Sequence, residues 1–150
     1  MSSAPILGHV HLKVRHLDTA IAFYQTWFEL DVTERIGDQM AFLSSSGRHH
    51  DIALQALGDM GALPEPYSVG LYHVAFEVAD RATLARYHAR LQQAGLPVIG
   101  VDHGISWALY FNDPDGNGLE IYWDTRASDH GQPAWGGKSR RLSERDLAIE

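Results

Sequence analysis

The sequence predicts an α+β fold of two βαβββ modules, their strands forming a curved mixed sheet around a central cavity. Three observations predict it. A strand-like octapeptide occurs twice, 64 residues apart at its histidine. A helical pattern follows each copy, and three further strand-like segments follow each helix.

The first copy is Leu7-Gly8-His9-Val10-His11-Leu12-Lys13-Val14, and the second is Leu71-Tyr72-His73-Val74-Ala75-Phe76-Glu77-Val78. Both alternate as half-buried strands do. The first helix is expected over about 17–28, where Ala20, Ile21, Phe23, Tyr24, Trp27 and Phe28 recur at helical spacing and Asp18 or Thr19 offers a cap. The second is expected over about 81–94, stopped by Gly95 with Pro97 soon after. Further strands are expected at about 31–36, 39–44 and 51–57, then at 97–102, 106–112 and 119–123. Asp113-Pro114-Asp115-Gly116-Asn117-Gly118 is a concentrated turn signal between the last two. Residues 1–123 thus make one domain, with module one over about 6–57 and module two over about 69–123, joined by a Gly- and Pro-rich stretch near 58–68. Residues 124–150 dissolve into Gly, Ser, Pro and charge and read as a mobile C-terminal tail, with a last helical turn at 143–149. Trp135, Leu142, Leu147 and Ile149 keep open a second reading of that tail, a lid or a strap across a partner subunit.

Composition narrows the function classes. A length of 150 residues buries enough surface to fold without a staple, and the absence of cysteine excludes disulfides and thiolate metal sites. A net charge of −7 argues against nucleic acid and anionic membrane surfaces as partners. No apolar run approaches the roughly 20 residues of a membrane helix. The Met1–Pro5 start lacks the basic and apolar regions of a signal peptide, so a cytoplasmic location is expected.

Strand alternation assigns faces. Val10, Leu12 and Val14 share one face of the first strand, leaving His9, His11 and Lys13 on the other. In the matching strand His73 points away from the apolar face, and near the end Glu120 points away from Leu119, Ile121 and Trp123. Tyr110 likewise opposes Leu109 and Phe111. Two imidazoles and one carboxylate with open positions remaining make the facial triad suited to Fe(II) oxygen chemistry, and the same donors suit Mn(II), Zn(II) or Ni(II). His11 shares a face with His9. The repeat register, rather than the face, favours His9. His16, His88 and His130 fall in a turn, a helix and the tail and receive no role.

With Gly8-His9-Val10 leading to Ala20-Ile21-Ala22-Phe23-Tyr24, and the ending Phe111-Asn112-Asp113-Pro114-Asp115-Gly116-Asn117-Gly118-Leu119-Glu120-Ile121-Tyr122, the chain resembles the vicinal-oxygen-chelate superfamily. That superfamily includes glyoxalases, fosfomycin- and bleomycin-resistance proteins and extradiol dioxygenases. The resemblance places metal ligands at His9, His73 and Glu120. The finer match is to single-domain type I extradiol ring-cleavage dioxygenases. It rests on His50 in Arg48-His49-His50-Asp51-Ile52-Ala53-Leu54, on His103 in Asp102-His103-Gly104, and on Tyr110 ten residues ahead of Glu120. The well-known extradiol enzymes carry an additional N-terminal pair of modules that these 150 residues do not contain, so their substrate preferences are not carried over.

The resemblance implies Fe(II), with Mn(II) the alternative, and O2-dependent meta cleavage of a catechol-type aromatic diol to a yellow semialdehyde. His50 would be the general base, with His103 and Tyr110 as hydrogen-bond donors. Fold analogy implies a homodimer or larger oligomer. Two rival activities remain. One is a glyoxalase-like metal-dependent isomerase or lyase. The other is a small-molecule-sequestering resistance protein. Trp107 and Phe42 are candidate pocket walls, although alternation places Trp107 on the apolar face.

Overall fold

A computed structural model describes residues 3–148. Met1 and Ser2, at the start of the segment tested for a signal peptide, and Ile149 and Glu150, at the end of the expected last turn, lie outside the described residues. The strands form two mixed sheets, one of four strands and one of five, in the expected α+β arrangement. The chain groups into two compact units, residues 3–68 with 113–117 and residues 69–112 with 118–148. The boundary adjoins the stretch expected to join the modules. Among the described residues no helix is long and apolar enough to cross a membrane.

The first unit runs β1 (Val10–Val14), α1 (Leu17–Phe28), β2 (Asp31–Ile36), β3 (Met40–Ser44) and β4 (Ile52–Ala56). Its sheet order is β1-β4-β3-β2, with β1 parallel to β4 and the other pairs antiparallel. The helix has the predicted bounds. Its apolar stripe, Leu17, Ala20, Ile21, Tyr24, Trp27 and Phe28, is buried, and the helix packs on β3 and β4. The expected cap is corrected: His16 is the N-cap residue and no side chain caps it. Asp18 falls inside the first turn, where its charge suits the helix dipole and it pairs with Arg35 at 2.7 Å. On β1, Leu12 and Val14 are buried while His11 and Lys13 are exposed, as alternation requires.

The second unit runs β5 (Val74–Val78), α2 (Arg81–Gln93), β6 (Ile99–Asp102), β7 (Ser106–Asn112), β8 (Gly118–Asp124) and β9 (Arg140–Arg141). The order is β5-β8-β7-β6-β9, with β5 parallel to β8. The Asp80 side chain caps α2 by accepting from the Thr83 amide at 2.7 Å, and Gly95, with φ +71°, follows its C-terminus. Leu84 and Leu91 from α2 are buried, as are Leu109, Leu119 and Ile121 from the sheet.

Two segments depart from the sequence expectation. Both octapeptides enter their strands later than predicted, so His9 and His73 precede β1 and β5 by one residue. The segment after β8 is not a free tail. Arg140–Arg141 form β9 on β6, the Leu142 amide donates to the Gly100 carbonyl at 2.9 Å, and Leu142 and Leu147 are buried. The described part of 143–149 forms a turn closed by the Leu147 amide on the Ser143 carbonyl at 3.3 Å.

The Asp113–Asn117 turn belongs to the first unit. Buried Asp113 accepts from the Tyr24 hydroxyl at 3.0 Å, from the Asp115 and Asn117 amides at 2.9 Å each, and from the Asn117 side chain at 2.8 Å. Asp115 in turn accepts from the Arg15 amide at 2.9 Å, and the Asn117 side chain donates to the Lys13 carbonyl at 3.1 Å. Burial, reinforced by the Asp113 charge, raises the Tyr24 hydroxyl far above its ordinary pKa and keeps it a donor.

Candidate metal and catalytic site

In the second unit, β8 places Glu120 between Ala75 of β5 and Tyr110 of β7. His73 lies two residues before Ala75 and so shares its side of the sheet. The close approach of β8 to this strand entry requires Gly118, since a Cβ there would collide with the Tyr72 carbonyl oxygen. His73 Nε2 and Glu120 Oε2 stand 2.8 Å apart. Glu120 is 8% exposed, and its Oε1 accepts from the Tyr110 hydroxyl at 3.2 Å. The Tyr110 oxygen also meets His103 Nε2 at 2.8 Å. Burial and the adjacent Glu120 charge push the Tyr110 pKa well up, so the phenol keeps its proton at neutral pH.

The pair fits a divalent cation on two grounds. Two donors at about 2.1 Å on adjacent coordination positions lie about 3 Å apart, close to the separation here. A cation would also balance the charge of Glu120, a buried carboxylate. A cavity of about 250 Å³ adjoins it, walled by Tyr72, His73, Ile99, Tyr110, Phe111 and Leu119 among others, with no charged side chain in its lining.

In the first unit, Val10 pairs with Ile52, and the Val10 amide donates to the Asp51 carbonyl at 3.0 Å. That parallel register sets His9 beside His50, ring centroids 4.3 Å apart. Asp51 shapes the loop that carries His50. Its carboxylate accepts from the Ser44 hydroxyl at 2.9 Å, the Ser45 and Ser46 amides at 3.0 and 3.2 Å, and the Ser46 hydroxyl at 2.6 Å. Partial burial pushes Asp51 up, but these bonds outweigh it and hold the carboxyl below its ordinary range. For His50, partial burial first, and then the neighbouring His9, His49 and His11, hold the imidazole below its ordinary value.

Hydrogen-bond polarity assigns the His50 tautomer. Glu34 Oε2 lies 3.0 Å from His49 Nε2, and His49 Nδ1 lies 2.8 Å from His50 Nδ1. A carboxylate only accepts, so His49 Nε2 carries hydrogen and neutral His49 offers its Nδ1 lone pair. His50 then donates from Nδ1 and keeps a lone pair at Nε2, the state a general base needs. Phe42 packs against His49 and His50, with ring centroids at 5.4 and 5.0 Å.

The structure thus brings His73, Glu120, Tyr110 and His103 together in one unit, and His9 and His50 together in the other. Among the described residues no group of three or more His, Asp or Glu side chains is gathered as a metal cluster. Trp107 is 2% exposed and belongs to the core, packing on Trp123 and His130. Sequence reasoning missed Glu34, His49 and Ser139, whose hydroxyl contacts His103. The His49-His50 doublet was the one available signal.

With this geometry in hand, comparison with known proteins defines the class. Residues 6–121 match the Glyoxalase/Bleomycin resistance protein/Dioxygenase superfamily, and the chain belongs to it. It is 36% identical over 118 residues to a catechol-2,3-dioxygenase of Bacillus subtilis (strain 168), covering 79% of this chain and 41% of that protein. The chain therefore spans less than half the length of that relative. It is 33% identical over 131 residues to biphenyl-2,3-diol 1,2-dioxygenase 3 of Rhodococcus globerulus, covering 85% of this chain and 68% of that one. A metallothiol transferase of Shouchella clausii (strain KSM-K16) is 26% identical, covering 81% and 82% of the two chains. Among solved structures, a glyoxylase/bleomycin resistance protein/dioxygenase domain from Frankia sp. EAN1pec superposes with a TM-score of 0.72 at 28% identity, covering 85% of this chain and 98% of that one.

Proposed function

We propose that this chain is an Fe(II)-dependent extradiol dioxygenase that cleaves a catechol-type aromatic diol with O2. The observation that carries the reading is the hydrogen-bonded run His103–Tyr110–Glu120–His73, which joins the expected ligand pair to two expected catalytic groups. The relatives named as diol dioxygenases support it, as do the uncharged walls of the adjoining cavity, which suit an aromatic ring. In this reading His73 and Glu120 hold the metal, with His9 as third ligand on the strength of its matching position in the repeat. Fe(II) at those residues would supply the Lewis-acid and redox chemistry that lets a diol react with dioxygen, and Mn(II) fits the same donors.

The chain's own groups do the rest. His50 accepts a proton from a diol hydroxyl at Nε2, aided by its lowered basicity, which keeps it neutral at pH 7. It returns that proton as the ring opens, so it acts as base and then acid. Tyr110 and His103, whose hydrogens are engaged with Glu120 and with Tyr110 in the substrate-free chain, turn them in this reading to substrate oxygen atoms on which negative charge develops. Both atoms of O2 enter the product. In this reading the enzyme works in the cytoplasm as a homodimer or larger homo-oligomer.

Anaerobic purification followed by addition of Fe(II), a panel of catechols and oxygen tests the reading. The expected result is oxygen uptake matched one to one with yellow product. Absence of turnover with every catechol, together with retention of Zn(II) or Ni(II), would overturn it in favour of an isomerase or transferase.

A further inference from the structure

We propose that Ser139, held by Trp135 on the C-terminal segment, is a positioning residue that fixes the tautomer of His103 and so directs the single proton of Tyr110 onto Glu120. The proposal deepens the catalytic reading of this site. The sheet register supplies the placement. β9 pairs antiparallel with β6, Val101 with Arg141 and Asp102 with Arg140, so the next pair of positions outward is His103 and Ser139. Ser139 Oγ lies 2.7 Å from His103 Nδ1. The Trp135 indole N–H donates to Ser139 Oγ at 3.2 Å and to the Lys138 carbonyl at 2.9 Å. Its ring stands edge-on to His103 at 5.8 Å. The Gln132 amide on the Gly104 carbonyl at 2.7 Å, the Arg140–Asp102 ion pair at 3.1 Å and buried Leu142 and Leu147 hold the segment down.

Polarity then follows from the two ends of the chain of contacts. Indole Nε1 is donor-only and a carboxylate is acceptor-only. Tyr110 gives its one hydrogen to Glu120 Oε1, so its oxygen accepts from His103 Nε2. A neutral His103 protonated at Nε2 has an acceptor at Nδ1, which Ser139 satisfies by donating. Ser139 is left to accept from Trp135. Every link from Trp135 to Glu120 runs the same way. Without the Ser139 hydroxyl, His103 Nδ1 meets water, which accepts as readily as it donates, and the Nδ1–H tautomer becomes accessible. In that tautomer the Nε2 lone pair competes for the Tyr110 proton and draws it off Glu120.

Long-range ¹H–¹⁵N correlation of the imidazoles in the metal-free, substrate-free full chain reads this directly, with His103 assigned by loss of its signals in His103→Gln. The wild type is expected to show one tautomer, protonated at Nε2. Ser139→Ala is expected to show averaged, mixed-tautomer shifts, and Ser139→Thr to restore the single form. A wild-type His103 protonated at Nδ1, or an unchanged spectrum in Ser139→Ala, overturns the proposal. Because no metal or catechol is present, this result is independent of whether ring cleavage is found. A protein without diol turnover can still show the tautomer lock, and an active one can lack it.

Discussion

Tyr110→Phe isolates the most connected atom of the site. It deletes one oxygen and keeps the ring that packs 5.5 Å from His73 and 6.0 Å from His103. Two hydrogen bonds disappear, the 2.8 Å contact with His103 and the 3.2 Å donation to Glu120. Losing one well-placed donor to a developing oxyanion raises a barrier by about 2.7–4 kcal/mol, or about 10²–10³ in kcat. The cost to folding is smaller, about 1–3 kcal/mol, because buried Glu120 loses a donor while half-buried His103 retains access to water. Oxygen uptake on the Fe(II)-loaded protein, paired with urea denaturation, separates the two effects. The predicted signature is turnover down at least about 100-fold with the fold intact at room temperature. Retention of half the wild-type kcat would refute the assignment of Tyr110 as a catalytic donor.

Three further predictions follow from other parts of the structure. Glu120→Gln removes the carboxylate of the ligand pair and is expected to weaken Fe(II) binding at least about 100-fold, beyond the 10–100-fold typical of residues that only orient a ligand, as read by metal titration; unchanged affinity would place the metal elsewhere. Asp113→Ala strands the Tyr24 hydroxyl, which is 0% exposed, and unties the 113–117 turn. A loss of about 2–4 kcal/mol in denaturant unfolding is expected, and under about 1 kcal/mol would contradict the burial argument. Asp146 is held below its ordinary carboxylate value by Arg140 first and then by the Ser143 amide and hydroxyl. A depressed folded value stabilises above the unfolded pKa of about 4 and loses that stability as pH falls through the folded one. The stability gap between wild type and Asp146→Asn should therefore be constant near neutrality and shrink below about pH 4. A gap independent of pH would mean that the Asp146 charge contributes nothing.

The helices were legible because a 3.6-residue apolar stripe survives in sequence whatever the tertiary context, and α1 begins and ends where Leu17 and Phe28 do. The matching placement of His9 and His73, each one residue ahead of its strand, was legible because the repeat marks the same position twice. The strand entries were not, since the apolar residues at 7 and 71 extend the alternation beyond the hydrogen-bonded ladder, and both are exposed. In sequence His49 is only the neighbour of His50. It became the group that sets the His50 tautomer only once β2 brought Glu34 to it. Ser139 was invisible for a similar reason. It reaches His103 through a two-residue strand 36 positions downstream, in a stretch whose Gly, Ser and charge carry no periodicity.

The Asp113–Asn117 turn has a consequence for how the protein can be divided. Read along the chain, it is the hairpin of the second module, yet its carboxylates and amides satisfy Tyr24, Lys13 and Arg15 in the first unit. A gene cut at residue 68 would yield an N-terminal fragment with a buried phenol lacking its acceptor and a C-terminal fragment with a loop lacking its bed. Module shuffling or split-reporter designs in this fold must carry the five-residue turn with the half it serves, not the half that encodes it.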